Sequence, residues 1–245
     1  SVQSAVSPSP VREAPFQAAI RSALERGLLP DVLVRAGIRR ILATRLREAG
    51  ARHVRIGVVD AEVEPAAPLR MENSRPAFDA ILSLWVDTAV WRERYEQVFR
   101  EQVSRYHGYL VCESAPIRHD DRMPTDGARV EGMCQVVFLQ QPPRLSYEEW
   151  ITVWQGSHTQ VAIDTQSTFG YRQNVIVRAL TYAAPHYSAI IEENFPAAAM
   201  SSPHAFYDAV GDDARYKANL KAMMDSCARF IDMNRIDVVP TSEYN

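Results

Sequence analysis

The stretch of this sequence richest in groups that could do chemistry opens on a capping box. Ser146 and Glu149 have the S-x-x-E spacing in which hydroxyl and carboxylate satisfy each other's backbone N–H, and Trp150, Trp154 and His158 follow at i+4 steps. One helix face therefore carries two indoles and an imidazole. An imidazole at the end of such an apolar stripe can act as general base or as hydrogen-bond donor to a carbonyl or phenol; it can equally be a packed core histidine. On the strand-like run SAIIEENF, alternation puts Ile190, Glu192 and Asn194 on one face and Ile191, Glu193 and Phe195 on the other. One glutamate must face inward. A carboxylate in apolar surroundings has its pKa raised towards proton transfer, unless an arginine such as Arg172 or Arg178 pairs with it.

FDAILSLWVD aligns without gaps to YSAIIEENFP, matching Ile81 to Ile190. The first run has a mixed face (Ile81, Ser83, Trp85) and an aliphatic one (Leu82, Leu84, Val86), so the mixed face, with Glu192, is assigned to a cavity and the other to helices. His158 and Glu192 are the expected catalytic pair, with Trp150, Trp154, Tyr171, Asn194 and Trp85 as substrate-binding residues. Tyr171 reads alternatively as core with a tethered hydroxyl. Asp225 and Asp232 read as structural, and Glu148 and Glu149 as first-turn acids.

The elements that must position these groups follow from periodicity. GMCQVVFLQ, SYEEWITVWQGSHTQVA, YRQNVIVRAL, YSAIIEENF, ARYKANLKAMMDSCARF and RIDVVPTS read as βαββαβ, the ferredoxin-like order. HVRIGVVDAEV, FDAILSLWVD and YLVCESAPI are strands of the first half, with a helix between the last two that Asp87 would cap, Trp91 would join and Gly108 would end. Residues 119–127 read as a linker, and 1–15 as a mobile tail. Helices are expected from Phe16 to Ala49, broken at Pro30; the first fifty residues hold eight arginines against four acids, a balance of 8 − 4 = +4. The fold expected is α+β: two ferredoxin-like βαββαβ repeats, 16–120 and 129–245, packed sheet to sheet as an α+β barrel, the first lacking its opening strand.

Composition narrows the function. The 245 residues carry a formal net charge of −3, which argues against nucleic acid as partner. Cys112, Cys134 and Cys227 are odd in number and lack CxxC spacing, so neither disulfide framework nor metal site is indicated, and a cytoplasmic setting is expected. No apolar run predicts a membrane span. HExxH, GxSxG, P-loop and Rossmann motifs are absent, leaving the cofactor unknown, and haem ligation by His158 is set aside for want of a second ligand motif.

From Arg129 to Tyr244 the chain resembles an EthD-type domain of the dimeric α+β barrel class. The resemblance rests on PPRLSYEEWITVWQGSH, Gly170-Tyr171 with Asn174, the region Glu192 to Phe195, and Asp225 with Phe230-Ile231-Asp232. It implies a small-molecule enzyme, oxidoreductase or monooxygenase-like, acting on a hydrophobic or aromatic substrate in a degradative or secondary-metabolite pathway. It leaves open a cyclase, isomerase or lyase on the same fold, a non-catalytic ligand-binding or accessory protein, and a homodimer. Residues 27–48 also resemble the N-terminal stretch of cyclopropane-synthase-like methyltransferases, but no Gly-rich loop follows a strand to hold their cofactor.

Overall fold

Period-two alternation of apolar residues builds a single antiparallel sheet, and helical stripes cover its convex face. The structure is a computed structural model and describes residues 31–74, 78–103, 105–124 and 127–245. The expected tail, the first helix and the break at Pro30 lie outside the described residues. In chain order the elements are α1 (Asp31–Glu48), β1 (His53–Val58), β2 (Met71–Glu72), β3 (Ala80–Trp85), α2 (Glu93–Gln102), β4 (Tyr109–Ile117) and β5 (Met133–Leu139). There follow α3 (Tyr147–Val153), a π-helical turn (Trp154–His158), α4 (Thr159–Thr165), β6 (Gly170–Ala179), β7 (Ala189–Phe195), α5 (Pro203–Phe206), α6 (Asp213–Phe230) and β8 (Ile236–Tyr244). None of the described helices is long and apolar enough to cross a membrane.

The sheet has eight strands in the order β3-β1-β8-β5-β7-β6-β4, with the short β2 beside β8. Every pairing is antiparallel. The second half supplies the middle, β8-β5-β7-β6, with its helices in βαββαβ succession. In place of the two facing sheets expected, strands of the first half extend this one sheet from both sides. The reason lies in strand length: β8 runs on to Tyr244, so its backbone at Ser242 to Tyr244 is free to pair with β1, while β6 offers its outer edge to β4. Curvature then brings the arms together. Ile81 of β3 and Tyr109 of β4 both pack on Cys134, Val136, Phe138 and Ile190, so Ile81 does face β5, within one curled sheet.

The convex face is covered twice. Over the second half, α3, α4 and α6 bury Trp150, Trp154, Met223 and Phe230 against Val137, Leu139, Tyr171 and Ile191. Over β1, helices α1 and α2 bury Leu42, Leu46, Tyr95 and Val98 against Val54 and Ile56. Burial of large apolar side chains at about 1.5–3 kcal/mol each makes these two layers the main source of cohesion. The first-half helix departs from expectation at both ends. It starts at Glu93 with Arg92 as an N-cap that makes no side-chain cap, while Asp87 instead pairs with Arg52 at 3.1 Å. It ends at Gln102, well short of Gly108. Trp91 precedes the first turn and is 76% exposed, so Tyr95 and Val98, with Phe99 half-buried beside them, carry the stripe.

Candidate functional site

Two clusters of polar side chains lie on opposite faces of the sheet. On the concave face, direct cross-strand neighbours stack a charged network: Arg172 of β6 stands opposite Glu192 of β7, and Gly170 opposite Asn194. Arg172 donates to Glu192 at 3.2 Å and to Glu243 at 2.8 Å. Arg55 reaches the same Glu192 through Nε and Nη2, each at 3.2 Å, and donates to Glu113 at 2.8 Å. Asn174 donates to Glu192 at 3.0 Å and Asn194 to Glu243 at 2.6 Å.

The Nε2 atom of His119 lies 3.3 Å from Arg172 and 3.4 Å from Glu243, so it accepts from the guanidinium when unprotonated and donates to the carboxylate when protonated. Gly170 makes room for that ring, since a Cβ there would sit 2.4 Å from His119 Nδ1. Burial alone would raise the two buried carboxylates. The guanidiniums of Arg55 and Arg172 outweigh it and hold Glu192 below the ordinary range, and a hydrogen bond from His119 with the same arginines does so for Glu243. Ionised and paired with guanidiniums, these carboxylates are poor proton acceptors near neutral pH; their chemistry is electrostatic pinning of four strands.

The helix-facing layer is different in kind. The Ser146 capping box forms, with Ser146 accepting from the Glu149 backbone and Glu149 closing back at 2.8 Å. It starts α3 so that Trp150 and Trp154 point into the layer, both fully buried with ring centroids 5.2 Å apart. The π-helical turn beginning at Trp154 is tied to the sheet, because Gln173 donates to Thr159 at 2.7 Å and to the Tyr171 hydroxyl at 3.2 Å, and Thr159 donates to the Trp154 carbonyl at 3.0 Å. Such turns recur at functional sites. Among the described residues, the indole N–H of Trp150 has no hydrogen-bond partner, while the Trp154 side chain interacts with the Tyr171 hydroxyl. Glu193, 8% exposed, forms no hydrogen bond or ion pair with a described residue, and burial pushes its carboxyl up to about 7. Tyr171 stands directly opposite Glu193 across the β6–β7 pair, and burial, then the charge of Glu193, raises its phenol.

His158 closes this layer between α4 and α6. Its Nδ1 lies 2.9 Å from Ser226 Oγ and its ring 4.5 Å from that of Phe230. Arg229 donates to the same Oγ at 2.8 Å. Burial, reinforced by the charge of Arg229, lowers its pKa to about 4.

The expected residues are thus divided. Trp150, Trp154, Tyr171 and His158 share the helix-facing layer; Glu192, Asn194 and Trp85 belong to the concave face, where Arg55 lies 5.0 Å over the Trp85 ring. His158 and Glu192 do not line one cavity, because successive side chains of β7 alternate faces and Glu193 is the one on the side of His158. Of the two alternatives for Glu192, pairing with Arg172 is the one that holds, so its carboxyl is lowered and not raised, and His158, which a general base would need near neutral, lies well below it. Sequence reasoning missed His119, placed in the supposed linker, and Glu243 and Arg55, which carry no local motif. The only hint was a charged residue at an inward strand position.

A surface cavity of about 220 Å³ lies between α1 and the end of β8, lined by Arg39, Arg40, Thr44, Arg47 and Tyr244 among others. The Arg39 guanidinium sits 3.2 Å over the Tyr244 ring. Compared with protein-family models, with curated proteins and with solved structures, the chain matches none.

Proposed function

We propose that this chain is a small-molecule enzyme of the EthD-like, α+β barrel type, acting on a hydrophobic or aromatic substrate by proton transfer in the layer between the second-half sheet and its helices. In this reading β1, β3, α2 and β4 are what remains of a first ferredoxin-like repeat, and 129–245 is the EthD-like half. The observation that carries it is the pairing, in that layer, of a buried Trp150 N–H that has no partner among the described residues with a Glu193 carboxyl that burial pushes up to about 7. Buried polar groups are otherwise satisfied nearly everywhere in folded proteins, and a ligand with a phenol or carbonyl supplies what these lack.

Glu193 then takes the role first assigned to Glu192. With a pKa near 7 it accepts a proton from a phenol or enol at neutral pH, while Tyr171 stays protonated and donates, and the indole rings bind the aromatic plane. Deprotonation of an electron-rich phenol or enol is also the first step of substrate-driven oxygen chemistry, which fits an oxidoreductase or monooxygenase-like activity.

A panel of planar hydroxyaromatic compounds tested by thermal shift decides the matter. Ligands should raise the Tm of the wild type, lose most of that effect in Glu193→Gln and in Trp150→Phe, and keep it in Glu192→Gln. Ligands that stabilise wild type and Glu193→Gln equally would refute the assignment.

A further inference from the structure

The geometry points to a strand-addition site: the open seam between β3 and β4 takes an extended segment of a second polypeptide, which pairs antiparallel with both edges and closes the curled sheet into a barrel. The direction of the strands is the first ground. Seven strands follow one another along the sheet path and every step is antiparallel, so β3 at one end and β4 at the other run the same way. An antiparallel ladder cannot join two such edges directly. One added strand, antiparallel to both, makes the number even and leaves no edge.

The heights of the two edges match. Ile81 and Tyr109 pack on one cluster, and Arg55, which lies opposite Ser83 and over the Trp85 ring at 5.0 Å, bonds Glu113 at 2.8 Å. Ala80 to Trp85 therefore runs alongside Tyr109 to Glu113. The edges also lack the usual protection. AILSLW of β3 contains neither charge nor proline, and along the matching part of β4 the one charged side chain, Glu113, is turned inward to Arg55. Native edges of this kind are normally blunted by lysine, proline or cover. Among the described residues, no strand pairs with the outer edge of either.

Exposed apolar side chains flank the opening. Val90 and Trp91, in the connection leaving β3, are 65% and 76% exposed, and Arg92 of the same connection donates at 2.8 Å to the Leu180 carbonyl beside the start of β4. An incoming strand would turn alternate side chains inward to Ile81, Tyr109 and Val111 and outward to the level of Leu82 and Leu84. It must therefore be apolar on both faces over about the six residues of β3, like β5, which fills the place between the co-directional β7 and β8. Before α1, residues 16–30 have helical spacing where a strand would need alternation, and residues 1–15 carry three prolines and too few apolar residues for a strand apolar on both faces, so the strand is assigned to another polypeptide.

Hydrogen exchange read by mass spectrometry tests this, with a lysine-flanked peptide of the sequence Met133 to Leu139 as probe. The outward-pointing amides, about every second one, of Ala80–Trp85 and Tyr109–Glu113 should exchange fast in the chain alone and slow by roughly tenfold or more with saturating peptide, as new ladder hydrogen bonds require. Cys112→Lys, which sets a charge on an exposed position of β4, should weaken the peptide by roughly tenfold at unchanged Tm. Three results would overturn the proposal: slow exchange at both edges in the free monomer, protection that appears only with a dimer seen by light scattering, or no protection at the highest soluble peptide concentration.

Discussion

At the scale of single residues, Glu193 and its neighbour Glu192 show how one peptide step decides the chemistry of a carboxylate. Glu192 points to two guanidiniums and stays ionised; Glu193 points to the helices and is pushed up to about 7. A carboxyl whose folded pKa is raised binds its proton more tightly in the folded state. The neutral form is therefore compatible with full stability below the unfolded value, and stability is lost as pH rises from about 4.5 to about 7. The loss reaches about 3 kcal/mol at most, from roughly 1.4 kcal/mol for each pH step of that interval. Glu193→Gln should thus raise the Tm by several degrees at pH 8 and change it little at pH 5, as differential scanning calorimetry would read. An unchanged Tm at both pH values would mean that the carboxylate has a partner in solution.

At the scale of elements, the α4–α6 contact depends on His158 more than any catalytic role requires. Its bond to Ser226 and its contact with Phe230 join the two helices, and losing them should cost about 1–3 kcal/mol. His158→Asn should therefore melt several degrees lower at pH 7. The pH dependence runs opposite to that of Glu193. With a folded pKa near 4 against an ordinary value near 6.5, the stability His158 contributes is present above about 6.5 and is lost as pH falls towards 4. The variant should lack that acid limb, so its melting deficit should shrink between pH 6.5 and pH 4. A variant with wild-type Tm and altered ligand response would instead mark His158 as a pocket residue.

The capping box, the tryptophan stripe and the helix order were all legible in the sequence, because each depends on neighbours within a turn or two. The π-helical turn was not. It arises where Gln173, on a strand after the helix, hydrogen-bonds Thr159.

At the scale of the whole molecule, Arg55 and Arg172 hold the curl of the sheet. They bind strands from both halves: Arg55 joins β1 to β7 and to β4, and Arg172 joins β6 to β7 and β8. Removing one cation leaves buried carboxylates uncompensated, which typically costs about 3–5 kcal/mol. Arg172→Met should therefore lower stability by that order at pH 7 in urea titrations. Glu192 and Glu243 are depressed in the folded protein, so the stability they contribute is present above the ordinary carboxylate pKa and is lost as pH falls below it towards their depressed folded values. The gap between wild type and Arg172→Met should accordingly narrow towards pH 4. A constant gap would mean that the cost is packing and not charge.

Alternation and i+4 spacing by themselves determined the longer strands, the two long helical segments of the second half, the α+β class and which face of β7 carries Glu192 and Asn194, but neither β2 nor α5. Local geometry repeats every two or 3.6 residues, so a short window holds it. What meets across the sheet had no such window. Only the tertiary structure decided that the halves share one curled sheet, that His158 and Glu192 lie on opposite faces, and that Arg55, Arg172 and His119 gather around Glu192 and Glu243. Those contacts join residues far apart in the chain, and their charge states follow from burial and pairing that exist only once the sheet has closed around them.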